Sequence, residues 1–159
     1  MGRPRPSVTR MITELTHATV YVLDQDRAKD FYTGKLGFVV GNDIVMDDGP
    51  GGGFRWLTVS PPGQPGVQLI LADCRMGHAP DHAEAIRELV AKGALGTGVL
   101  ATDDCRGDFR RLSERGVVFL SEPAERPYGV EATFRDDSGN VYSLTEATAH
   151  QRENSGTRR

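Results

Sequence analysis

The stretch LTHATVYVLDQDRAKDFYTGKLGF, from Leu15 to Phe38, decides the fold. Its first part, Leu15–Val22, is rich in Thr, Val and Tyr and alternates between two faces, which predicts a strand with His17 on one face. Asp24 has the short acceptor side chain of a helix N-cap, and apolar residues then recur at spacings of three and four. Gly37 permits the left-handed conformation that ends a helix. The stretch therefore predicts a strand, a helix and a second strand.

Composition limits the class of protein. The chain has 159 residues, which suits one domain, and a hydrophobic content of 38%, which is enough for a core. Its net charge of −3 gives no reason to expect a nucleic acid or a membrane surface as partner. Two cysteines, Cys74 and Cys105, are too few for a disulfide scaffold, so a reducing cytoplasm is the expected location. No apolar run approaches membrane-spanning length.

The remaining chain is predicted to form strands and two more helices between polar tails at residues 1–10 and 148–159. A capping box at Asp81 and Glu84 is expected to start a connector helix. The single domain, residues 11–147, then divides into module one (11–74), the connector helix (77–93) and module two (94–147). The expected further elements are strands at Phe38–Met46, Phe54–Val59, Val67–Ala72, Leu95–Thr102, Val117–Leu120, Gly129–Arg135 and Val141–Ala147, with a helix from Asp103 to Gly116.

The two halves repeat each other, because each reads β-α-β-β-β. At a separation of 79 residues, the residues that start and end the helix match between the halves: Asp24 with Asp103, Arg27 with Arg106 and Gly37 with Gly116. The sequence therefore predicts an α+β fold of paired βαβββ modules.

Four short motifs give the chain a resemblance to a known family. They are His17-x6-Asp24, Phe31-Tyr32…Leu36-Gly37-Phe38, Asp103-Asp104 and Asp137-Ser138-Gly139-Asn140. With these motifs the chain resembles the vicinal-oxygen-chelate superfamily, which includes glyoxalase I, bleomycin-resistance proteins and extradiol dioxygenases. The resemblance implies two curled sheets that form a cup around a small-molecule ligand. It also implies a homodimer, in which a partner's strands sometimes complete each cup.

The resemblance also implies positions for metal ligands. The first is His17 on the opening strand and the second is Gln68 on the fourth strand, where the family uses Glu or Gln. The third falls at Gly96 or Thr97, neither of which is a good ligand. The fourth, commonly Glu, is Ser143 here. Half of the family's metal site is therefore present.

Glu131 complicates this interpretation, because the turn before the last strand is predicted to pair it roughly opposite Ser143. The matching residue of module one is Arg55, predicted to lie opposite Gln68. Two explanations remain open. Glu131 replaces the lost metal ligand and serves as a catalytic carboxylate, or Glu131 and Arg55 are a polar pair in a metal-free pocket. The candidate ligand-binding residues are Arg55, Trp56, Thr97 and Ser143.

Two functional hypotheses follow. In the first, a divalent metal (Zn, Ni, Mn, Fe or Co) bound by His17, Gln68 and Glu131 polarises a small 2-oxo compound or thiol adduct, as in a glyoxalase-like lyase or isomerase. In the second, the cup is a metal-free binding site for a small molecule or drug, as in bleomycin-resistance proteins. Extradiol cleavage is disfavoured, because the second histidine that it needs on Fe(II) is missing from the predicted cup strands.

Overall fold

The computed structural model describes residues 11–47 and 52–149. The expected tail at residues 1–10, most of the tail at 148–159 and residues 48–51 of the turn after β2 lie outside the described residues. No helix in the described ranges is long and apolar enough to cross a membrane. The elements are, in order, β1 His17–Val22, α1 Gln25–Asp30, a π-helical turn Phe31–Lys35, β2 Val39–Met46, β3 Phe54–Ser60, β4 Gln68–Asp73, α2 Pro80–Ala91, β5 Gly96–Ala101, α3 Cys105–Glu114, β6 Val118–Arg126, β7 Gly129–Arg135 and β8 Val141–Ala147.

The strands form two four-stranded sheets, one in each module, and this confirms the predicted α+β fold. Sheet 1 has the order β1-β4-β3-β2 and sheet 2 has the order β5-β8-β7-β6. In each sheet the first strand of the module pairs in parallel with the last, and the other neighbours are antiparallel. The sheets are curled and are not closed, so β1 and β2 are the edges of sheet 1, and β5 and β6 those of sheet 2.

Helix α1 begins at the N-cap that the sequence predicts, and the π-helical turn that follows it ends at the predicted glycine. The Asp24 carboxylate accepts a hydrogen bond from the backbone N–H of Arg27 at 2.9 Å, as an N-cap does. Gly37 follows the π-helical turn with a φ of +74°, and Gly116 follows α3 with a φ of +82°. These left-handed conformations suit glycine, which has no Cβ to clash with the following carbonyl.

The starts of the other two helices differ from the prediction. Helix α2 begins after Ala79, with Pro80 in its first turn, so the capping box predicted at Asp81 is wrong. A proline in the first turn removes one of the N–H groups that have no partner within the helix, and the chain starts this helix without a side-chain cap. Helix α3 is capped by Asp104, whose carboxylate accepts from the Gly107 N–H at 2.8 Å, and not by Asp103. The two helix caps are therefore 80 residues apart, one more than the predicted 79-residue offset.

One hydrophobic core serves both modules, and a polar network joins them inside it. The Tyr32 hydroxyl, from the π-helical turn of module one, lies 2.8 Å from the Tyr142 hydroxyl of β8 and donates to Asp136 at 2.8 Å. Asp136 is nearly buried, and its Oδ1 accepts from the backbone N–H groups of residues 138, 139 and 140 at 2.9 Å each. We call Tyr32, Asp136 and Tyr142 the seam, because they tie module one to the β7–β8 turn of module two.

Each sheet turns one face toward this core and one away from it. In sheet 1 the buried Val20, Leu57 and Leu71 belong to the core. Residues that alternate with the core residues along β1, β3 and β4 lie on the opposite face. We call this the first outer face, and its members are His17, Trp56, Thr58 and Gln68.

Sheet 2 repeats this arrangement. Its core residues include Ala132, Phe134, Tyr142 and Leu144. Residues that alternate with them on β7 and β8 lie on the side away from the core. We call this the second outer face, and its members are Glu131, Ser143 and Thr145.

Candidate functional site

The first outer face brings together three of the residues that the sequence singled out. His17 and Gln68 are direct register partners on the parallel strands β1 and β4. The His17 ring lies 5.5 Å from the Trp56 ring, centroid to centroid, at an interplanar angle of 58°. All three side chains are half-buried. An indole and an imidazole ring therefore lie beside a carboxamide on the first outer face.

The Gln68 carboxamide is held in place by a small polar cluster. Its Oε1 accepts a hydrogen bond from the Thr58 hydroxyl at 2.6 Å, and that hydroxyl accepts from the Asn42 N–H at 2.9 Å. Gly41, at an irregularity in the β2–β3 register, lies directly against it, because a Cβ at this position would come within 2.1 Å of Gln68 Oε1. The glycine therefore makes room for the carboxamide.

A second polar pair extends the first outer face along β1. The Tyr21 hydroxyl lies 2.7 Å from His78 Nε2, and the two rings are 5.3 Å apart in an edge-to-face arrangement. Tyr21 shares one face of β1 with His17, so the sequence predicts on which side of the sheet it lies. His78 comes from the segment before α2, and no local pattern indicated that it reaches this face.

The second outer face carries a different set of groups. The Ser143 hydroxyl donates to Glu131 Oε2 at 2.7 Å and lies 2.9 Å from the Thr145 hydroxyl. Arg126 Nε is 3.8 Å from Glu131 Oε1. The register places Thr145 directly opposite Glu131 and places Ser143 opposite Thr133, so the predicted Glu131–Ser143 pairing is displaced by two residues. Since both serine and threonine lie on the same face, the carboxylate still reaches Ser143.

Arg55 does not lie where the sequence argument placed it. It is adjacent to Trp56 on β3, so it points to the other face of sheet 1, the one covered by α1. Its guanidinium donates to Asp43 at 2.7 and 2.9 Å and to Asp26 of α1 at 2.6 Å. Hydrogen bonds from Arg55 and Lys29 hold the pKa of Asp43 well below its usual value.

The predicted pairing of Arg55 opposite Gln68 is wrong for a physical reason. Val59 is the register partner of Leu69, so the antiparallel count places Arg55 far along β3 from Gln68. Arg55 instead lines a separate groove of about 640 Å³, together with Gln25, Asp73 and Arg75.

The last candidate ligand-binding residue, Thr97, lies at an irregularity of β5, between residues that pair with Val141 and Tyr142.

The residues of one chain do not fit the metal site that the family resemblance implied. His17 and Gln68 lie on the first outer face, whereas Glu131 lies on the second, on another sheet. The Gln68 oxygen already accepts from Thr58, and the Glu131 carboxylate already accepts from Ser143. Among residues 11–47 and 52–149, no three His, Cys, Asp or Glu side chains are grouped as a metal ion would require.

Comparison with known families identifies the class of protein. Residues 14–144 match the model of the Glyoxalase/Bleomycin resistance protein/Dioxygenase superfamily. The chain belongs to this superfamily.

The chain is also similar to particular proteins of this kind. The chain is 45% identical to a protein of known crystal structure, UcmS2, with a TM-score of 0.78 over 85% of this chain and 98% of that one. It is 34% identical to TnmS3, an antibiotic binding protein from Streptomyces sp. CB03234, with a TM-score of 0.67 over 88% of this chain and 100% of that one. It is also 34% identical to YurT of Bacillus subtilis (strain 168), an uncharacterized protein, over 80% of this chain and 94% of that one.

Proposed function

We propose that this protein binds a small organic molecule of the antibiotic type, in a cup between the first outer face of one chain and the second outer face of a second copy. The observation that carries the proposal is the cluster of His17, Trp56 and Gln68, three half-buried side chains on one face of sheet 1. Sites for small molecules combine aromatic surface with a few placed polar groups, and this face has both.

The homodimer in this proposal follows from the opposite orientation of the two outer faces. In one chain both faces point away from the shared core, so each is only half of the cup that the superfamily fold implies. Sheet 1 offers aromatic rings and a carboxamide, and sheet 2 offers the Glu131 carboxylate with its hydroxyl neighbours. A two-fold dimer brings each face against its complement twice.

The relatives support binding as the function. TnmS3 is described as an antibiotic binding protein, and it is similar to this chain over nearly its whole length. In the proposed dimer, the Glu131 carboxylate of one copy would face the Trp56 ring of the other. This arrangement favours a ligand with a cationic or hydrogen-bond-donating group, because a ligand can replace the hydroxyl partners of that carboxylate.

A metal-dependent lyase or isomerase is the second candidate. One observation favours it, the side-by-side register of His17 and Gln68, which are two of the family's ligand positions. In the dimer, Glu131 of the second copy would have to supply the third ligand. This hypothesis stays a prediction, and metal content separates it from the first.

The first test is a titration that uses the single tryptophan of the chain. Trp56 fluorescence is measured against a panel of natural-product antibiotics that begins with bleomycin, with protein that is dialysed against a chelator. We expect at least one compound to quench or shift the emission at a ratio of one ligand per cup. His17→Ala keeps Trp56 and should weaken binding about tenfold, because a half-buried polar residue beside the ring contributes about 1–2 kcal/mol. His82→Ala, an exposed histidine on α2, is the control.

Two results would contradict the proposal. In the first, protein purified without chelators contains nearly one equivalent of Zn, Ni, Mn, Fe or Co per chain, the Glu131→Ala variant loses this metal, and no antibiotic changes the fluorescence. The other is unfolding of His17→Ala, which would make His17 a residue of the core and not of the binding face.

A further inference from the structure

Strand β2 adds two exposed apolar side chains to the side of sheet 1 that carries Trp56. Ile44 is the register partner of Trp56, and Met46 is the register partner of Phe54. Directly opposed residues of an antiparallel pair share a face, so these four side chains lie together on the side away from the core. Ile44 and Met46 are 48% and 36% exposed, and the two aromatic residues are half-buried. We call the four residues the apolar shelf.

No member of the apolar shelf is charged, although charged residues alternate with its members along both strands. Asp43 and Arg55 are adjacent to Ile44 and Trp56, so they point to the opposite face, where the guanidinium donates to the carboxylate at 2.7 and 2.9 Å. Lys29 of α1 pairs with the same carboxylate at 2.7 Å. Covering the shelf therefore removes apolar surface from water without the cost of desolvating a charge.

The dimensions of the apolar shelf match a small molecule and not a protein. Its members occupy two positions on each of two neighbouring strands, which are about 5 Å apart across the sheet and about 7 Å apart along it. A stable protein interface takes about 800 Å² and about 20–30 residues from each partner. The shelf has the area of a fused system of a few rings.

The polar cluster around Gln68 borders the apolar shelf at the Trp56 ring. Trp56 belongs to the shelf and also contacts the ring of His17, the register partner of Gln68. The Gln68 Oε1 already accepts from the Thr58 hydroxyl, but within the described ranges its Nε2 makes only a 3.5 Å contact, with the Pro65 carbonyl. Since a carboxamide nitrogen has two hydrogens to donate, Gln68 can bond to an acceptor on a molecule that covers the shelf.

We propose that the ligand of this site carries a flat, uncharged fused-ring system, which lies on the apolar shelf and directs a hydrogen-bond acceptor such as a carbonyl to Gln68. The inference rests on the proposed function and adds the chemical class of the ligand. Trp56 and Phe54 offer aromatic surface for such rings, and the unbranched side chain of Met46 can adapt to their outline. A charged ring would lose its hydration on the shelf and gain no partner there.

A neutral naphthalene probe tests the apolar shelf without any antibiotic. N-Phenyl-1-naphthylamine is uncharged, becomes fluorescent in apolar surroundings and absorbs the light that tryptophan emits. Because Trp56 is the only tryptophan of the chain, we expect nearly complete energy transfer from it to the bound probe. Ile44→Asn should weaken this binding at least about tenfold, since it removes a large aliphatic contact. Val45→Asn, at a 74% exposed neighbour on the opposite face of β2, is the matched control and should stay within about twofold.

Two naphthalene compounds of nearly the same shape test the charge and the acceptor. 2-Naphthamide is neutral and 2-naphthoate is anionic, and each is titrated against the Trp56 fluorescence of the unmodified protein. The amide should bind at least about tenfold more tightly, because the shelf has no cation to replace the hydration of a carboxylate. Gln68→Ala should weaken the amide, which has a carbonyl, at least about fivefold more than N-phenyl-1-naphthylamine, which has none.

The inference is wrong if N-phenyl-1-naphthylamine does not bind, if Ile44→Asn and Val45→Asn lose equal affinity, or if the amide and the carboxylate bind equally. Thermal unfolding shows whether both variants are folded, and the comparison of the amide with the carboxylate needs no variant. An antibiotic that binds Ile44→Asn as tightly as the parent chain would also overturn the inference, while the proposed function stands. If the naphthalene compounds behave as expected and no antibiotic binds, the proposed function is wrong and the apolar shelf remains a ring-binding site.

Discussion

The seam and the first outer face both combine aromatic rings with polar groups, but they differ in how completely those groups are satisfied. At the seam, Tyr32 and Tyr142 have almost no exposed surface, and Asp136 accepts five hydrogen bonds from its surroundings. On the first outer face, His17 and Trp56 are half-buried, their rings are tilted by 58°, and His17 Nδ1 has an exposed contact of 3.0 Å with the Thr16 hydroxyl. Buried polar groups with every bond made hold a fold together, whereas half-buried groups remain available to a ligand.

This difference gives a rule for assigning roles in the chain. A change at the seam should lower the free energy of unfolding and should affect binding only through the fold. A change on the first outer face should lower affinity and leave stability nearly unchanged. The four predictions below test this division, in order of decreasing effect.

Asp136→Ala should be the most damaging change. It removes one carboxylate and leaves three backbone N–H groups and the Tyr32 hydroxyl without their acceptor. We expect a loss of about 3–5 kcal/mol in the free energy of unfolding, measured by urea denaturation. Asp81→Ala, at an exposed carboxylate on α2, should cost less than about 0.5 kcal/mol. A loss at Asp136 as small as this control would mean that the seam does not join the modules.

Trp56→Leu should be the most damaging change for binding. An aromatic anchor in a ligand site commonly contributes about 2 kcal/mol or more, so affinity should fall about 10- to 100-fold. The affinity is measured by isothermal titration calorimetry with the most strongly bound antibiotic, because this variant has no tryptophan fluorescence. Phe109→Leu, at a half-buried phenylalanine of α3 that packs on Phe119, is the aromatic control. Equal losses in the two variants would show that the first outer face has no special part in binding.

Gly41→Ala changes the site without altering any of its polar groups. The new Cβ would overlap Gln68 Oε1 and lie 2.8 Å from the Thr58 hydroxyl, so the carboxamide must turn away. Since the end of a glutamine side chain moves easily, stability should fall by less than about 1 kcal/mol while affinity falls about three- to tenfold. Gly66→Ala, with no atom within 4 Å of its added Cβ, is the control. Unchanged affinity in Gly41→Ala would remove Gln68 from the site.

Asp137→Asn should stabilise the protein slightly at neutral pH. Burial and the neighbouring Asp136 raise the pKa of Asp137 to about 6, and its buried Oδ1 meets no hydrogen-bond donor within the described residues. Because the folded chain binds this proton more tightly than the unfolded chain, the free energy of unfolding falls as the pH rises from about 4 to about 6, and it stays lower above that.

The asparagine variant does not carry this charge. Its advantage should be about 1 kcal/mol at pH 7, reduced from the full pKa effect because the side chain is partly exposed, and it should vanish below about pH 4. Denaturation midpoints across pH 3–8 provide the measurement, with Asp81→Asn as control. A constant difference at every pH would contradict the titration of Asp137.

Local signals predicted much of the fold because they depend on a few adjacent residues. Asp24 caps its helix, and Gly37 and Gly116 adopt the left-handed conformations that were expected. The signals failed where two neighbouring residues had the same chemistry. Asp103 and Asp104 are both capable caps, and only the path of β5 into α3 selects Asp104. At α2 a proline in the first turn displaced the start that Asp81 predicted.

The candidate site was predictable only as far as alternation along a strand allows. Alternation from the sequence places His17 on one face of β1, and the structure sets Gln68 and Trp56 beside it. Alternation cannot predict which residues face each other across two strands, because that register depends on the length of the connecting turns. Arg55 was assigned to the wrong face and Glu131 to a partner two residues away for this reason. The contact of His78 with Tyr21 could not be predicted, because it depends on the path of the segment before α2, which no local pattern specifies.

The repeated βαβββ order, the ends of the first helix and the superfamily could all be predicted from the amino-acid sequence, because propensity, capping and periodicity act over a few residues. The single core that serves both modules, with Tyr32 bonded to Asp136 across it, depends on packing between distant parts of the chain. That packing turns the first and second outer faces away from each other within one chain. Burial acts over the whole chain, so the apolar faces of both sheets are buried in one core with α1, the π-helical turn and α3, which leaves the polar faces outward.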